Sequence, residues 1–189
     1  MSGWEYSLHV MYRFSIRHLC GALLWVLLVG CSVKPQLPTS SHIQQLTHRL
    51  QSLDPVIPQA ESKSLASDLL ATTAMLVRHY ALTAPPLWHN FLVNIGLRKK
   101  GLCYDFSDAL FLHLKGGRYP HFAFHLAVAN KGAYFKEHNA LLITAKGKEV
   151  GQGLIVDAWR HSGRLVVVPF GKDEAYRWQH RSERCGCLL

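Results

Sequence analysis

Phe122-Ala123-Phe124-His125-Leu126-Ala127-Val128 is where the fold turns, because the hydrophobic period changes there from helical to strand-like. Upstream, apolar residues return every three or four positions. Ile43, Leu46, Leu50 and Leu53 predict a short amphipathic helix ending at Asp54-Pro55. Asp54-Pro55-Val56-Ile57-Pro58 reads as an extended connection, since each proline restricts the residue before it. A longer helix starts near Ser62 or Ser64 and carries Leu65, Leu69, Leu70, Thr73, Leu76, Val77 and Tyr80 as a broad stripe. Ala84-Pro85-Pro86 stops it. Residues 87–95 form a third helix closed by Gly96, with Trp88 directed to the core. A fourth runs from Cys103 through Phe106, Leu110, Phe111 and Leu114 to Lys115-Gly116-Gly117.

Downstream the strands continue. Residues 140–144, led by His138, residues 153–159 and residues 165–168 are separated by the turns Lys146-Gly147-Lys148-Glu149 and His161-Ser162-Gly163-Arg164. Residues 173–179 form a short terminal helix or an irregular cover. Helices first and strands after define an α+β class, with amino-terminal helices packed on an antiparallel β-sheet. A chain of 189 residues with 49% hydrophobic content holds one domain with a real core plus a targeting segment.

The amino end carries that segment. Arg13, Arg17 and His18 precede an apolar run over residues 19–29, which is short of the about 20 apolar residues a spanning helix needs and matches the layout of a signal peptide. Leu28-Val29-Gly30-Cys31 resembles a bacterial lipobox. That resemblance implies cleavage before Cys31, lipidation of Cys31 with palmitate among its acyl groups, and anchorage to a bacterial membrane; Ser32 implies the outer membrane, facing the periplasm. An ordinary signal peptide or an uncleaved anchor is the plainer alternative. The division is residues 1–30 as signal peptide, 31–42 as lipidated cysteine and proline-punctuated tether, and 43–189 as a single domain.

A net charge of +9, from 21 Lys/Arg against 12 Asp/Glu, suits an anionic surface. Only Arg98-Lys99-Lys100 forms a basic run, so no nucleic-acid partner is expected. Loss of Cys20 with the signal and lipidation of Cys31 leave Cys103, Cys185 and Cys187, an odd set with at least one free thiol. Cys185-Gly186-Cys187 is a candidate local pair.

Gly101-Leu102-Cys103-Tyr104-Asp105-Phe106 delivers a cysteine onto the first turn of the fourth helix, where unpaired N–H groups and the helix dipole stabilise a thiolate. The bland reading is a buried structural cysteine. Thiolate chemistry also needs an imidazole to move the proton and a third group to orient the ring. Cys103, His138 and Asp157 supply the three in chain order, and two antiparallel strands joined near Lys146 bring His138 beside Asp157. His125 is the second candidate for the imidazole. A zinc site from Cys103, His121 or His125, and His138 lacks compact ligand spacing, so neither a metal nor another cofactor is expected. His79 and His89 read as surface or packing residues, Asp105 as a first-turn carboxylate, and Trp159 and Tyr104 as cleft walls.

Three short segments carry a further resemblance: Gly101-Leu102-Cys103 opening a helix, His138-Asn139-Ala140-Leu141 on a strand, and Asp157-Ala158-Trp159 closing the next. Together they resemble the transglutaminase-like cysteine protease superfamily, within the papain-like fold, over about residues 96–168. The resemblance implies a papain-like core in which Cys103 attacks an amide, peptide or ester carbonyl to form a thioacyl intermediate. Water then gives hydrolysis, and an amine gives acyl transfer. The substrate would be a peptide, a protein or another amide. The alternative is a non-catalytic envelope lipoprotein that binds a protein partner or has a structural role.

Overall fold

The computed structural model describes residues 31–116, 118–133 and 135–182. Residues 1–30, read above as a signal peptide, and Cys185 and Cys187 lie outside the described residues. Four α-helices, α1 (Ser40–Gln51), α2 (Gln59–His79), α3 (Pro86–Asn94) and α4 (Cys103–Leu114), precede the five strands of the larger sheet. These are β1 (Phe122–Ala129), β2 (His138–Ala145), β3 (Leu154–Asp157), β4 (Val166–Pro169) and β5 (Trp178–Arg181). They form one sheet in the order β4-β3-β2-β1-β5 with every neighbouring pair antiparallel, so the class is α+β. No helix among the described residues is long and apolar enough to cross a membrane.

The central strand β2 is buried along its whole length. Both of its faces are covered, which is why its sequence runs as an apolar block rather than alternating. Leu141, Ile143 and Ala145 belong to the main core with Leu154, Val156, Phe106, Leu110 and the residues of α1 and α2. Ala140 and Leu142 pack on the opposite face with Ile155, Ala127, Ala129 and Trp178. Phe106 and Leu110 therefore seat α4 on the sheet, and with it the start of the helix at Cys103.

Several sequence expectations need correction. The segment read as a tether joins the domain: Val33 packs against the main core and donates its N–H to the Leu82 carbonyl at 2.9 Å. Helix α1 begins at Ser40, where Thr39 Oγ1 accepts the His42 N–H at 3.3 Å. Residues 54–58 turn tightly instead of extending, because the Asp54 carboxylate accepts the Val56 N–H and its carbonyl accepts the Ile57 N–H. Helix α2 starts at Gln59, directly after Pro58, and ends at His79 well before the prolines. Its stop is Ala81 in the left-handed region (φ 47°), with the Leu82 N–H returning to the Val77 carbonyl. Trp88 is half-buried and stacks on Phe91 rather than entering the core.

Strand β5 is the element of the larger sheet that the sequence reading missed. Residues 173–177 are irregular, as one of the two expectations had it, but Trp178-Gln179-His180-Arg181 pairs with β1. β4 and β5 occupy opposite edges of the sheet. The chain between them must therefore cross four strand spacings, roughly 19 Å, which the extended reach of residues 170–177, roughly 27 Å, allows. This crossing lays Phe170 and Tyr176 against the second core.

Candidate active site

The approach to Cys103 is built by a histidine and a glycine. His89 is fully buried; the Thr83 N–H donates to its Nδ1 at 3.1 Å, which leaves the ring proton on Nε2 to donate to the Lys100 carbonyl at 3.0 Å. Gly101 follows with φ +121°, and a Cβ there would stand 2.3 Å from His89 Nε2. Glycine is required on both counts. Asp105 then accepts the Gly101 and Leu102 N–H groups at 2.8 and 3.0 Å through Oδ2, fastening the turn to the helix it opens. Cys103 is thereby the first residue of α4.

His138 and Asp157 come together as expected. Leu141 lies opposite Val156, and continuing that register puts Ala140 opposite Asp157 and His138 one same-face step away. His138 Nε2 meets Asp157 Oδ2 at 2.7 Å, with both side chains almost wholly buried. His138 Nδ1 is also buried and makes no hydrogen bond of ordinary geometry. Burial alone would hold the imidazole neutral, but hydrogen bonding and charge from Asp157 and from Cys103 outweigh it and raise its pKa to about 9. Burial likewise works against the Asp157 carboxylate, and His138 and Arg160 overcome it to lower its pKa.

Asp157 is held from four directions. Oδ1 accepts the backbone N–H groups of Trp159 at 2.9 Å and Arg160 at 3.2 Å, while Oδ2 accepts Arg160 Nε at 2.6 Å beside His138. Arg160 continues to Asp173, with Nη1 and Nη2 at 3.2 and 2.5 Å from its two oxygens. Trp178 Nε1 donates to Asp173 at 2.8 Å. Burial opposes ionisation of Asp173, but Arg160 and Trp178 lower its pKa to about 2. The crossing segment is thus latched over the imidazole. The ring of Tyr176 lies 4.5 Å from that of His138, with Trp159 at 5.0 Å and Trp178 at 5.4 Å, and the Arg160 guanidinium sits 4.8 Å over Tyr176.

Cys103 is 8% exposed and lines an open cleft of about 670 Å³. Its walls are α3 through Leu87, Asn90, Phe91 and Asn94, the start of α4 through Leu102 and Tyr104, the loop after β1 through Gly132, Phe135 and Glu137, and Asn139 of β2. Asn139 Nδ2 lies 3.9 Å from Cys103 Sγ. Tyr104 takes the wall position read for it. Trp159 does not: its ring packs against His138, and its Nε1 donates to Asn90 Oδ1 at 3.1 Å.

The other candidates go elsewhere. His125 contacts Thr144 Oγ1 at 3.2 Å and faces His180, and His121 pairs with Glu61 at 2.6 Å. Among the described residues no group of three His, Cys, Asp or Glu side chains is arranged to hold a metal ion. Cys31 is exposed as a free cysteine. Sequence reasoning missed Asn139, Arg160, Asp173, Tyr176 and Trp178. The signal available was the pair of aromatic residues, Tyr176 and Trp178, in an otherwise polar stretch. Comparison with protein-family models, with curated proteins and with solved structures finds no match, so the chemistry rests on the geometry around Cys103, His138 and Asp157 alone.

Proposed function

We propose that the protein is a bacterial envelope lipoprotein with a transglutaminase-like, papain-like core, whose Cys103, His138 and Asp157 cleave or transfer amide, peptide or ester acyl groups. The observation that carries this reading is the imidazole of His138. It is bonded to Asp157 through Nε2 and charged in part by Cys103, whose sulfur opens onto a cleft at a helix start. Such an arrangement favours the protonated ring beside the sulfur. Cys103 Sγ attacks the carbonyl carbon, the tetrahedral adduct collapses, and His138 gives its proton to the departing amine or alkoxide. A water or amine entering the cleft then yields its proton to His138 as it attacks the thioacyl carbon, and Cys103 leaves as thiolate. Asp157 keeps the ring oriented throughout. Leu87, Phe91 and Phe135 supply apolar surface beside the sulfur and Glu137 is the charged side chain of the lining, which suits an acyl group flanked by apolar side chains.

The test is profiling against a peptide and amide library, with Cys103→Ala as control. Cys103-dependent cleavage or aminolysis is the expected result, and equal turnover by both proteins refutes the reading. The lipid anchor is tested by palmitate incorporation, expected to vanish in Cys31→Ala. A second reading, a partner-binding lipoprotein that keeps the fold without turnover, draws on the burial of Cys103 and on the aromatic rings that enclose His138. It requires Cys103→Ala to retain full function in cells.

A further inference from the structure

We infer that Asn139 is a further catalytic residue: its side-chain amide donates to the oxyanion formed as Cys103 is acylated, and Arg181 fixes the amide in the donating orientation. The inference rests on the thiol-acyl reading above. Its basis is the set of groups around one buried amide.

Asn139 is 5% exposed and lines the cleft beside Cys103. An asparagine amide fits two ways round, and here both ends are settled by partners that play one part only. Arg181 carries donors and no acceptor, and its Nη1 donates to Asn139 Oδ1. Glu137 lies at the other end, with Oε1 3.4 Å from Asn139 Nδ2. The Gly132 N–H, foremost, and the Asn139 amide and Arg181 charge keep Glu137 ionised, so it accepts. Flipping the amide would set Oδ1 against a carboxylate and Nδ2 against a guanidinium. Nδ2 therefore faces the cleft, and it has two hydrogens. One satisfies Glu137; the other is directed to the region of Cys103 Sγ, 3.9 Å away.

That distance suits an oxyanion better than it suits sulfur. In a thiol adduct the oxyanion stands roughly 2.6 Å from sulfur, and an effective donor stands about 2.7–3.1 Å from the oxyanion. A triangle with those two sides closes comfortably on the 3.9 Å found between Nδ2 and Sγ. The strand sets this up, since adjacent residues of β2 point to opposite faces. Asn139 shares with Leu141 and Ile143 the face on which α4 packs, and His138, the first residue of the strand, is influenced by both Asp157 and Cys103.

The experiment compares two reactions of the same sulfur in the full chain, each followed by mass on the Cys103 peptide. Iodoacetamide alkylates the thiolate with loss of iodide and forms no oxyanion. p-Nitrophenyl acetate acylates it through a tetrahedral oxyanion and releases p-nitrophenolate. Asn139→Ala and the isosteric Asn139→Asp are expected to slow acylation by about 100- to 1,000-fold while the plateau alkylation rate stays within about threefold. Arg181→Leu, which lets the amide rotate, is expected to slow acylation by about tenfold with alkylation retained. Acylation unchanged in the Asn139 variants, or acylation and alkylation falling in parallel, overturns the inference while leaving the thiol reading intact. Failure of the parent protein to be acylated, or acylation of His138→Ala at the parent rate, overturns the thiol reading itself.

Discussion

Replacing Asp157 by asparagine isolates what the carboxylate does for the imidazole. In the native protein the His138 pKa stands at about 9 against an ordinary 6.5, the attractions of Asp157 and Cys103 having outweighed burial. Burial is the largest single influence and lowers the value, so the opposing attractions of Asp157 and Cys103 together exceed it. Removing the carboxylate leaves burial opposed by Cys103 alone and leaves the Arg160 guanidinium, whose Nε shares Oδ2 with His138, with Asp173 as its remaining carboxylate partner. Both disfavour the charged ring. The His138 midpoint is therefore expected to fall by about 2 units in Asp157→Asn, to near neutrality, so that at pH 7 a large fraction of the rings loses the proton. The direct assay is 15N NMR titration of the histidine ring nitrogens, assigned with His138→Gln, alongside alkylation of the Cys103 peptide at pH 7, which is expected to slow. Stability supplies an independent readout. A pKa raised by folding contributes stability that is whole below the unfolded value and lost as pH rises through the folded one, so the window here runs from 6.5 to 9. Denaturant midpoints of the native protein should decline across that window, and those of Asp157→Asn should be flatter. A His138 midpoint that moves by less than about 0.5 unit refutes the reasoning, because it would mean that Asp157 does not hold the proton on the ring.

Gly101→Ala adds a Cβ 2.3 Å from His89 Nε2 at a φ of +121°, and should cost about 3–5 kcal/mol in urea unfolding together with loss of fast Cys103 labelling. Arg160→Met breaks the link from Asp157 to Asp173 and should destabilise the protein by about 3 kcal/mol at neutral pH, read from denaturant midpoints. Because Asp173 falls from 3.8 to about 2 on folding, its contribution is present above 3.8 and lost as pH drops towards 2, and that acid loss should shrink in Arg160→Met. Leu87→Ser combined with Phe91→Ser, both on the cleft wall, should raise KM for apolar acyl donors by about tenfold with kcat nearly unchanged, as expected for uniform binding.

The part of the site legible in the sequence was the part set by local structure. A glycine and a capping carboxylate announce the helix start at Cys103, and a short turn between two strands brings His138 and Asp157 within reach whatever the rest of the chain does. The α+β order was legible for the same reason, since the period changes once. What stayed hidden depends on topology. Asp173 and Tyr176 reach the site only because β4 and β5 sit on opposite edges, and β5 contains a single apolar residue, Trp178, too little for a strand pattern. Trp159 looked like a cleft wall because it follows Asp157, yet the bend that lets Asp157 accept the Trp159 and Arg160 N–H groups turns its ring onto His138. The helix boundaries moved for backbone reasons that side-chain periodicity does not encode, such as the left-handed Ala81.

The segment that crosses from one edge of the sheet to the other ties the cover over His138 to the protection of a sheet edge. Strand β5 covers the outer side of β1 from Leu126 to Ala129, and the residues just before it cover the ring of His138. A chain nicked or shortened ahead of Trp178 would uncover the imidazole and, in the same event, turn β1 into a bare edge whose apolar Leu126-Ala127-Val128-Ala129 can template another molecule. Damage at this point would therefore favour association of the damaged chains. Light-scattering of such a truncated form should rise together with the loss of Cys103 labelling.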